Sequence, residues 1–519
     1  MSKSLTTNRK IRKSIKEARK ISRSKKKKAY CSNPFGSAQA REVARIKKSA
    51  SNKKKNEENE IKKAKQYANK ILAPFDEATL NIMANASRFL KRKSKLLPVY
   101  FIAAIVFTYL SNGENSMLLI TSNLEGWFSI SISTQAISQR MRNKSTAKFL
   151  KDLFIFQLNQ KLQPCVATGY SKYLTAFKSI KIADSTHIEL SKHTAKGFKG
   201  CHGNASKSSL KLNFLIDIFN LKTTSLDLKS GNCSDKTFSK NINRWLKFGE
   251  LLIRDLGYFS LDAFKSIEAL GAFYLSRLQK GVNIYINKQD EAPIDIESFF
   301  KKEIRKSHNK IVDFTVYLGT QKLASRLIVF KTPKWVIKQR LKKYKISHKK
   351  IPGEDYVIWS GYSFFVTNIE KTMCTSEAIF ELYTIRWQIE LIFKSYKSTF
   401  KLDVIRGTNK SCVECILYAK LIGILISERL ASFAAVECEA IGRELSFDKT
   451  MKWLKNENKI IVAILGGELA ELILDLAKKL KYLWKDKRKK EPSTCKKVLK
   501  VLQDPNESSY YKPVKRKVA

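Results

Sequence analysis

Acidic residues are the scarce charge in this chain. Against 99 Lys and Arg stand 46 Asp and Glu, a formal net charge of +53 over 519 residues. Self-repulsion on that scale is tolerable beside a polyanion, so nucleic acid is the expected partner and an anionic membrane the weaker one. Part of the charge also fits a codon bias towards Lys, Asn and Ile. Cysteine is sparse, 9 in all and irregularly spaced, which argues against a disulfide framework and for a reducing cytosol. The one Cys-x-x-Cys pair, Cys412 and Cys415, has no second pair in register, and zinc needs more ligands than two. The 5 histidines are scattered. No basic-apolar-small leader is read at the start of the chain, and no repeat with a period of about 20 to 50 residues. The longest apolar run, Leu96 to Leu110, is shorter than the roughly 20 residues a membrane span needs, so it reads as a buried helix.

What is present suits folded cores: 43% hydrophobic and 11% aromatic residues. Two to four domains are expected at this length. Residues 1–69 read as a basic, largely disordered arm, with unbroken lysine runs at Lys25 to Lys28 and Lys53 to Lys55 and too few apolar residues for a core. Residues 70–165 read as a helical domain. In it Ser133 or Thr134 can cap a short helix carrying Gln135, Gln139, Arg140 and Arg142, with a turn at Asn143 to Ser145. Gln and Arg on a short capped helix suit base reading in a major groove, and Gln139, Arg140 and Arg142 are the candidates. A polar surface helix would look the same.

Residues 178–280 hold three strands in a row, the first running through KSIKIADSTHIEL to Asp184. A helix at 234–249, a short apolar strand into Asp255, a helix capped by Ser260 and a fifth strand follow. That order resembles a ribonuclease-H-like core, in which the first and fourth strands lie side by side, and this would bring Asp184 and Asp255 to neighbouring positions. Asp184 interrupts an otherwise apolar strand, where an unpaired charge is costly. Asp255 can also be read as a turn residue, and Asp217 and Asp227 on nearby strands compete for the same role. Residues 281–360 are Lys-rich and expected to be mostly β. Trp335, flanked by cations, is a candidate for stacking on an unpaired base, although a small-core Trp is the plainer reading. Residues 361–440 contain the last strand and a long helix, and 441–519 form a helical, basic C-terminal region.

Glu381 to Phe400 contains neither Gly nor Pro. Its apolar residues Leu382, Ile385, Ile389 and Ile392 recur at helical spacing. Tyr383, Arg386, Glu390 and Lys397 fall beside them within an arc of roughly 60° on an ideal helix. Arg386 with Glu390, and Glu390 with Lys394, are also ordinary i,i+4 surface pairs. The order Asp, Asp, then Glu on a helix is nonetheless the pattern of a two-metal nuclease core, with oxygen ligands that suit Mg2+ or Mn2+.

The Y-x2-R-x3-E-x6-K pattern at 383–397 resembles the signature of the DDE transposases of the insertion-sequence-four group. Asp184-Ser185-Thr186 and the D-x-G-Y at 255–258 resemble that group's two Asp motifs, and Thr367-Asn368 also follows its pattern. The similarity covers roughly residues 70–440. It implies an α/β, ribonuclease-H-like mixed sheet with a β-rich insertion before the last catalytic helix, an N-terminal helical domain that binds transposon ends, and a helical C-terminal region. It implies Asp184, Asp255 and Glu390 as catalytic metal ligands for two Mg2+ ions (Mn2+ may substitute), and Tyr383, Arg386 and Lys397 as grips on DNA phosphate. The partners it implies are double-stranded DNA, as terminal inverted repeats and target, and a second copy of the chain in a homodimer that cuts in trans, by way of a hairpin. No membrane is expected, and the location is the cytoplasm of a prokaryote, on the nucleoid. The competing readings are an inactive DNA-binding relic and a structure-selective nuclease with the same core.

Overall fold

The computed structural model describes residues 58–484 apart from 93, 113–115, 161–175, 202–205, 218–221, 297, 300–301, 304–310, 457–459, 461–462 and 465. The chain divides into two units, Met1–Lys63 and Ala64–Ala519. Most of the basic arm, the turn near Asn220 and the tail beyond 484 lie outside the described residues. The second unit is described below, and the boundaries read near 165, 280, 360 and 440 all fall inside it.

After a helical stretch ending at 72, Pro74 sits in a 3-10 turn, and Asp76 caps α1 (Glu77–Ala86) by accepting from the Thr79 N–H. The apolar run becomes α2 (Pro98–Asn112). α3 (Met117–Phe128), α4 (Thr134–Met141) and α5 (Lys144–Asn159) follow. Among the described residues no helix is long and apolar enough to cross a membrane.

The sheet begins with β1 (Ser179–Glu189), β2 (Ser209–Asp217) and β3 (Lys222–Ser230), paired antiparallel. A 3-10 helix (Asp235–Arg244) precedes β4 (Glu250–Arg254), α6 (Leu261–Ala269) and β5 (Phe273–Arg277). The α-helix expected at 234–249 is therefore a 3-10 helix. Its Ser- and Asn-rich sequence competes for backbone hydrogen bonds, as when Ser234 Oγ accepts from the Lys236 N–H. β6 (Ile284–Tyr285), β7 (Ile311–Leu318), β8 (Leu323–Lys331), α7 (Lys334–His348), α8 (Glu354–Ser360) and β9 (Tyr362–Thr367) come next. α9 (Ser376–Thr384), α10 (Trp387–Phe400), α11 (Lys410–Ala440), α12 (Phe447–Asn456) and α13 (Leu469–Lys478) complete the main elements.

All nine strands form one mixed sheet in the order β3-β2-β1-β4-β5-β9-β8-β7-β6. β1 runs parallel to β4, and β4 to β5, while the other neighbours are antiparallel. The strands of the 281–360 segment therefore extend the central sheet through β9. The segment also carries two helices, more helical content than the mostly β reading anticipated.

Alternation along β1 explains the layering. Ile180 and Ile182 join a large core with Ile389 and Phe393 of α10 and with α2, α5 and α11. Ala183 joins a second core on the other face, with Leu252, Phe264 and Tyr274. Asp184 belongs to the Ile180–Ile182 face, which α10 covers.

Candidate active site

Register sets the first two acids. Ala183 on β1 pairs with Arg254 on β4 in parallel, so the next residue of each strand is an Asp, 184 beside 255. Neighbouring strands lie about 4.8 Å apart. Asp255 begins a 3-10 turn, but its side chain makes no capping hydrogen bond, so the turn does not use its carboxylate. The turn is held by Tyr258, 1% exposed, whose hydroxyl donates to Asn213 Oδ1 at 3.0 Å. The competing acids are occupied elsewhere. Asp217 accepts from Ser179 Oγ at 2.8 Å, and Asp227 lies 3.5 Å from Lys229 Nζ.

The third acid arrives on α10, but not on one continuous helix. Thr375 Oγ1 accepts from the Ala378 N–H to cap α9. The chain then tightens: Ile385, Arg386, Gln388 and Ile389 donate to residues three before them. A 3-10 turn without Gly or Pro thus separates Tyr383 from Glu390. It advances about 120° per residue instead of about 100°, which shifts the face drawn on an ideal helix. Arg386 occupies this joint. Its guanidinium donates to Glu390 Oε1 at 2.8 Å and stands 3.4 Å from Asp184 Oδ2.

Electrostatics follow from burial and crowding. Burial raises the Asp184 carboxyl to about 6; the Ser185 N–H and Arg386 oppose that rise, while the charges of Asp255 and Glu390 add to it. Burial also pushes the Tyr383 phenol up to about 12, helped by Asp255. Its buried hydroxyl has no hydrogen-bond partner among the described residues. A groove of about 750 Å³ opens beside these groups, lined by Asp184, Thr186, Glu390, Lys394, Lys397 and Lys401 among others. Lys397 Nζ donates to the His187 carbonyl at 3.2 Å.

An all-oxygen donor set, mutually repelling carboxylates and an orphaned hydroxyl fit a hard divalent cation. Among the described residues, however, no three His, Cys, Asp or Glu side chains already stand together as a metal-holding group. The expected three-acid pocket is only partly assembled: Asp184 neighbours Asp255, and Glu390 reaches Asp184 through the Arg386 guanidinium.

The outlying candidates divide. Ser133 caps α4 as expected, and Gln139 and Arg142 are exposed on it. Arg140 instead folds inward, donating to Ser94 Oγ at 2.9 Å with its guanidinium 5.7 Å from the Phe89 ring. The Arg140 side chain is thus half-buried and engaged within the chain, unlike its exposed neighbours Gln139 and Arg142. Trp335 is 46% exposed on α7, a helix with no buried residue, so it is not a small-core Trp. Asn368 plays a structural part, since its side chain accepts from the Tyr274 N–H and donates to the Ala272 carbonyl, clamping the start of β5. Cys412 and Cys415 are buried free thiols. Two residues escaped the sequence reading. Trp387 is 56% and Leu391 48% exposed, one turn apart on the outer face of α10 beside Arg386 and Glu390. Their i,i+4 spacing opposite the Ile389–Ile392 stripe was the available signal.

Asp184 within β1 lies beside Asp255, which directly follows the parallel strand β4, and Glu390 stands on the covering helix; residues 175–426 match the family described as Transposase DDE domain. Over those residues, close to half of its length, the chain is similar to the DDE transposases. Among its relatives are insertion-sequence transposases. The one for IS231F of Bacillus thuringiensis subsp. israelensis is 29% identical over 371 residues, 67% of this chain and 76% of that one. The one for IS231E of Bacillus thuringiensis subsp. finitimus is 27% identical over 460 residues, 84% and 94% of the two chains. The one for IS1151 of Clostridium perfringens is 27% identical over 386 residues, 71% and 81%. Among solved structures, the piggyBac transposase synaptic complex with hairpin DNA aligns over 82% of this chain and 86% of that one, at 10% identity and a TM-score of 0.36, too loose a likeness to define the fold.

Proposed function

We propose that this transposase cuts DNA at the terminal inverted repeats of an insertion sequence and joins the freed ends to target DNA. In this reading Asp184, Asp255 and Glu390 are the catalytic carboxylates. The observation that carries it is the β1–β4 register, which sets Asp184 beside Asp255 with Glu390 tied to the same guanidinium. The strand order β3-β2-β1-β4-β5 supports a ribonuclease-H-like reading of the core. The three acids would hold two Mg2+ ions, or Mn2+ in their place, with Asp184 common to both. Such a pair, when bound, supplies an activated water or 3′-hydroxyl and stabilises the departing 3′ oxygen.

The protein's own groups position and orient. Asp184 and Asp255 are fixed by strand register, and Tyr258 holds the turn that presents Asp255. Arg386 and Lys397 would meet phosphate oxygens next to the scissile bond, where charge-assisted hydrogen bonds fix the backbone for in-line attack, and the Tyr383 hydroxyl, buried in the free protein, would join them once uncovered. Lys394 and Lys401 extend the cationic floor of the groove. Exposed Gln139 on α4 and Arg142 at its end would read the ends, and exposed Trp335 on the basic helix α7 would stack on an unpaired base. A homodimer joins two ends, each cut in trans. The cytoplasm, at the nucleoid, is the place of action.

The test is purified protein with Mg2+ and DNA carrying the flanking inverted repeats. Double-strand breaks at the ends and joining to a second duplex are expected. Glu390→Gln should bind the ends as before and cut nothing; cutting at the parental rate would remove Glu390 from the mechanism. Cleavage without joining would favour the nuclease reading, and end binding without cleavage the relic.

A further inference from the structure

The Arg386 guanidinium occupies the space that a cation shared by Asp184 and Glu390 would need. One nitrogen is 2.8 Å from Glu390 Oε1 and the other 3.4 Å from Asp184 Oδ2, and the side chain is 16% exposed. Oxygen lone pairs directed at a guanidinium cannot at the same time be directed at a metal ion about 2.0–2.1 Å away. Arg386 is anchored by its place at the 3-10 joint between α9 and α10, so its head can swing while its backbone stays. Both carboxylates that Arg386 bridges line a groove that also holds Lys394, Lys397 and Lys401, so an anion bound there would lie next to the bridged pair.

We propose that Arg386 is an internal cation competing with the metal for Asp184 and Glu390, and that a DNA phosphate in the groove draws it off. The inference rests on the metal-site reading above. Metal loading and DNA engagement are then reciprocally coupled: each ligand tightens the other, because both act on one swinging side chain. A free transposase stays poorly loaded and is armed only on its substrate. Arg386 is a positioning residue in this role.

The experiment measures Mn2+ binding to the full chain without DNA, by the electron paramagnetic resonance signal of the free ion. A net charge of +53 keeps adventitious cation sites few. Removing the competing hydrogen bonds in Arg386→Gln should tighten Mn2+ binding by about tenfold, since bonds to charged groups are among the stronger ones. Arg386→Lys, whose ammonium makes a point contact and not a fork, should fall between. DNA bearing the terminal repeats should tighten Mn2+ binding by a larger factor in the parent protein than in Arg386→Gln. Folding is verified by Tm, and Arg386→Lys decides the matter if Arg386→Gln does not fold. Mn2+ affinity unchanged or weakened in the folded variants overturns the inference while Glu390→Gln still abolishes binding. Mn2+ binding that survives Glu390→Gln overturns the metal-site reading and this inference with it.

Discussion

Asp313 and Asp184 each face an arginine on the same nine-stranded sheet, and the two pairs are built differently. On β7 and β8, Arg326 Nε lies 3.1 Å from both Asp313 oxygens, and a terminal nitrogen donates at 2.6 Å. The other terminal nitrogen is taken by the Ile369 and Cys374 carbonyls, and Ser376 Oγ adds a further bond to Asp313. Burial alone would raise the Asp313 carboxyl, but the bonds from Arg326 and Ser376 outweigh it and hold the group below its ordinary range. At the Asp184 site one guanidinium serves two carboxylates, a third carboxylate lies close, and burial wins, raising Asp184 to about 6. The first cluster is satisfied by the chain itself. At the second, burial outweighs the Ser185 N–H and the single shared guanidinium, and the Asp184 carboxyl stays raised.

The contrast predicts opposite responses to mutation. The largest effect is on chemistry: Asp184→Asn should lower strand cleavage at least about a thousandfold, since metal placement supplies several kcal/mol of the barrier, with end binding in a gel-shift assay unchanged. Next, Arg326→Leu leaves the half-buried Asp313 carboxylate with only Ser376 and Lys371 and should cost about 1.5–3 kcal/mol in urea unfolding, with cleavage per folded molecule kept. If instead it abolished cleavage without destabilising the fold, the structural reading of that pair would fail.

Smaller and opposite in sign is the stability effect of Asp184→Asn. The folded-state carboxyl titrates near 6 against an ordinary value of 3.8, so the folded form holds a proton that the unfolded chain has released between those values. That term therefore weakens the folded state as pH rises from about 4 to about 6, and fully above it. In metal-free buffer at about pH 7.5, Asp184→Asn should gain about 1–3 kcal/mol, with the gain fading by about pH 4. Asp313→Asn should lose stability over the same range. Smallest, Tyr383→Phe removes an orphaned hydroxyl and should leave stability within about 0.5 kcal/mol while slowing cleavage severalfold; a large loss of stability would show that the hydroxyl is bonded.

How much of this was legible in the sequence depended on range. Asp184 and Asp255 each follow a run of β-branched and apolar residues, and the strand order, by its resemblance to a known core, points to the first and fourth strands as neighbours. Local caps at Ser133 and Ser260 were equally plain, because capping depends on three or four residues. The continuity of the sheet through β9 was hidden, since Arg326↔Thr367 and Val329↔Phe364 pair across long stretches of chain. The joint at Ile385–Arg386 was hidden too: with no Gly or Pro to announce it, the 3-10 turn is set by tertiary packing around the fully buried Ile385 and Ile389. Arg140 shows the same limit, because only the fold reveals that Phe89 and Ser94 lie beneath it.

The most direct test is a crystal of the protein with end DNA and Mn2+, read by the anomalous signal of the metal. The account predicts two peaks, both bound by Asp184, one shared with Asp255 and one with Glu390, and Arg386 turned onto a DNA phosphate. Peaks that avoid Asp184, or Arg386 still joined to Glu390 beside a bound metal, would contradict it.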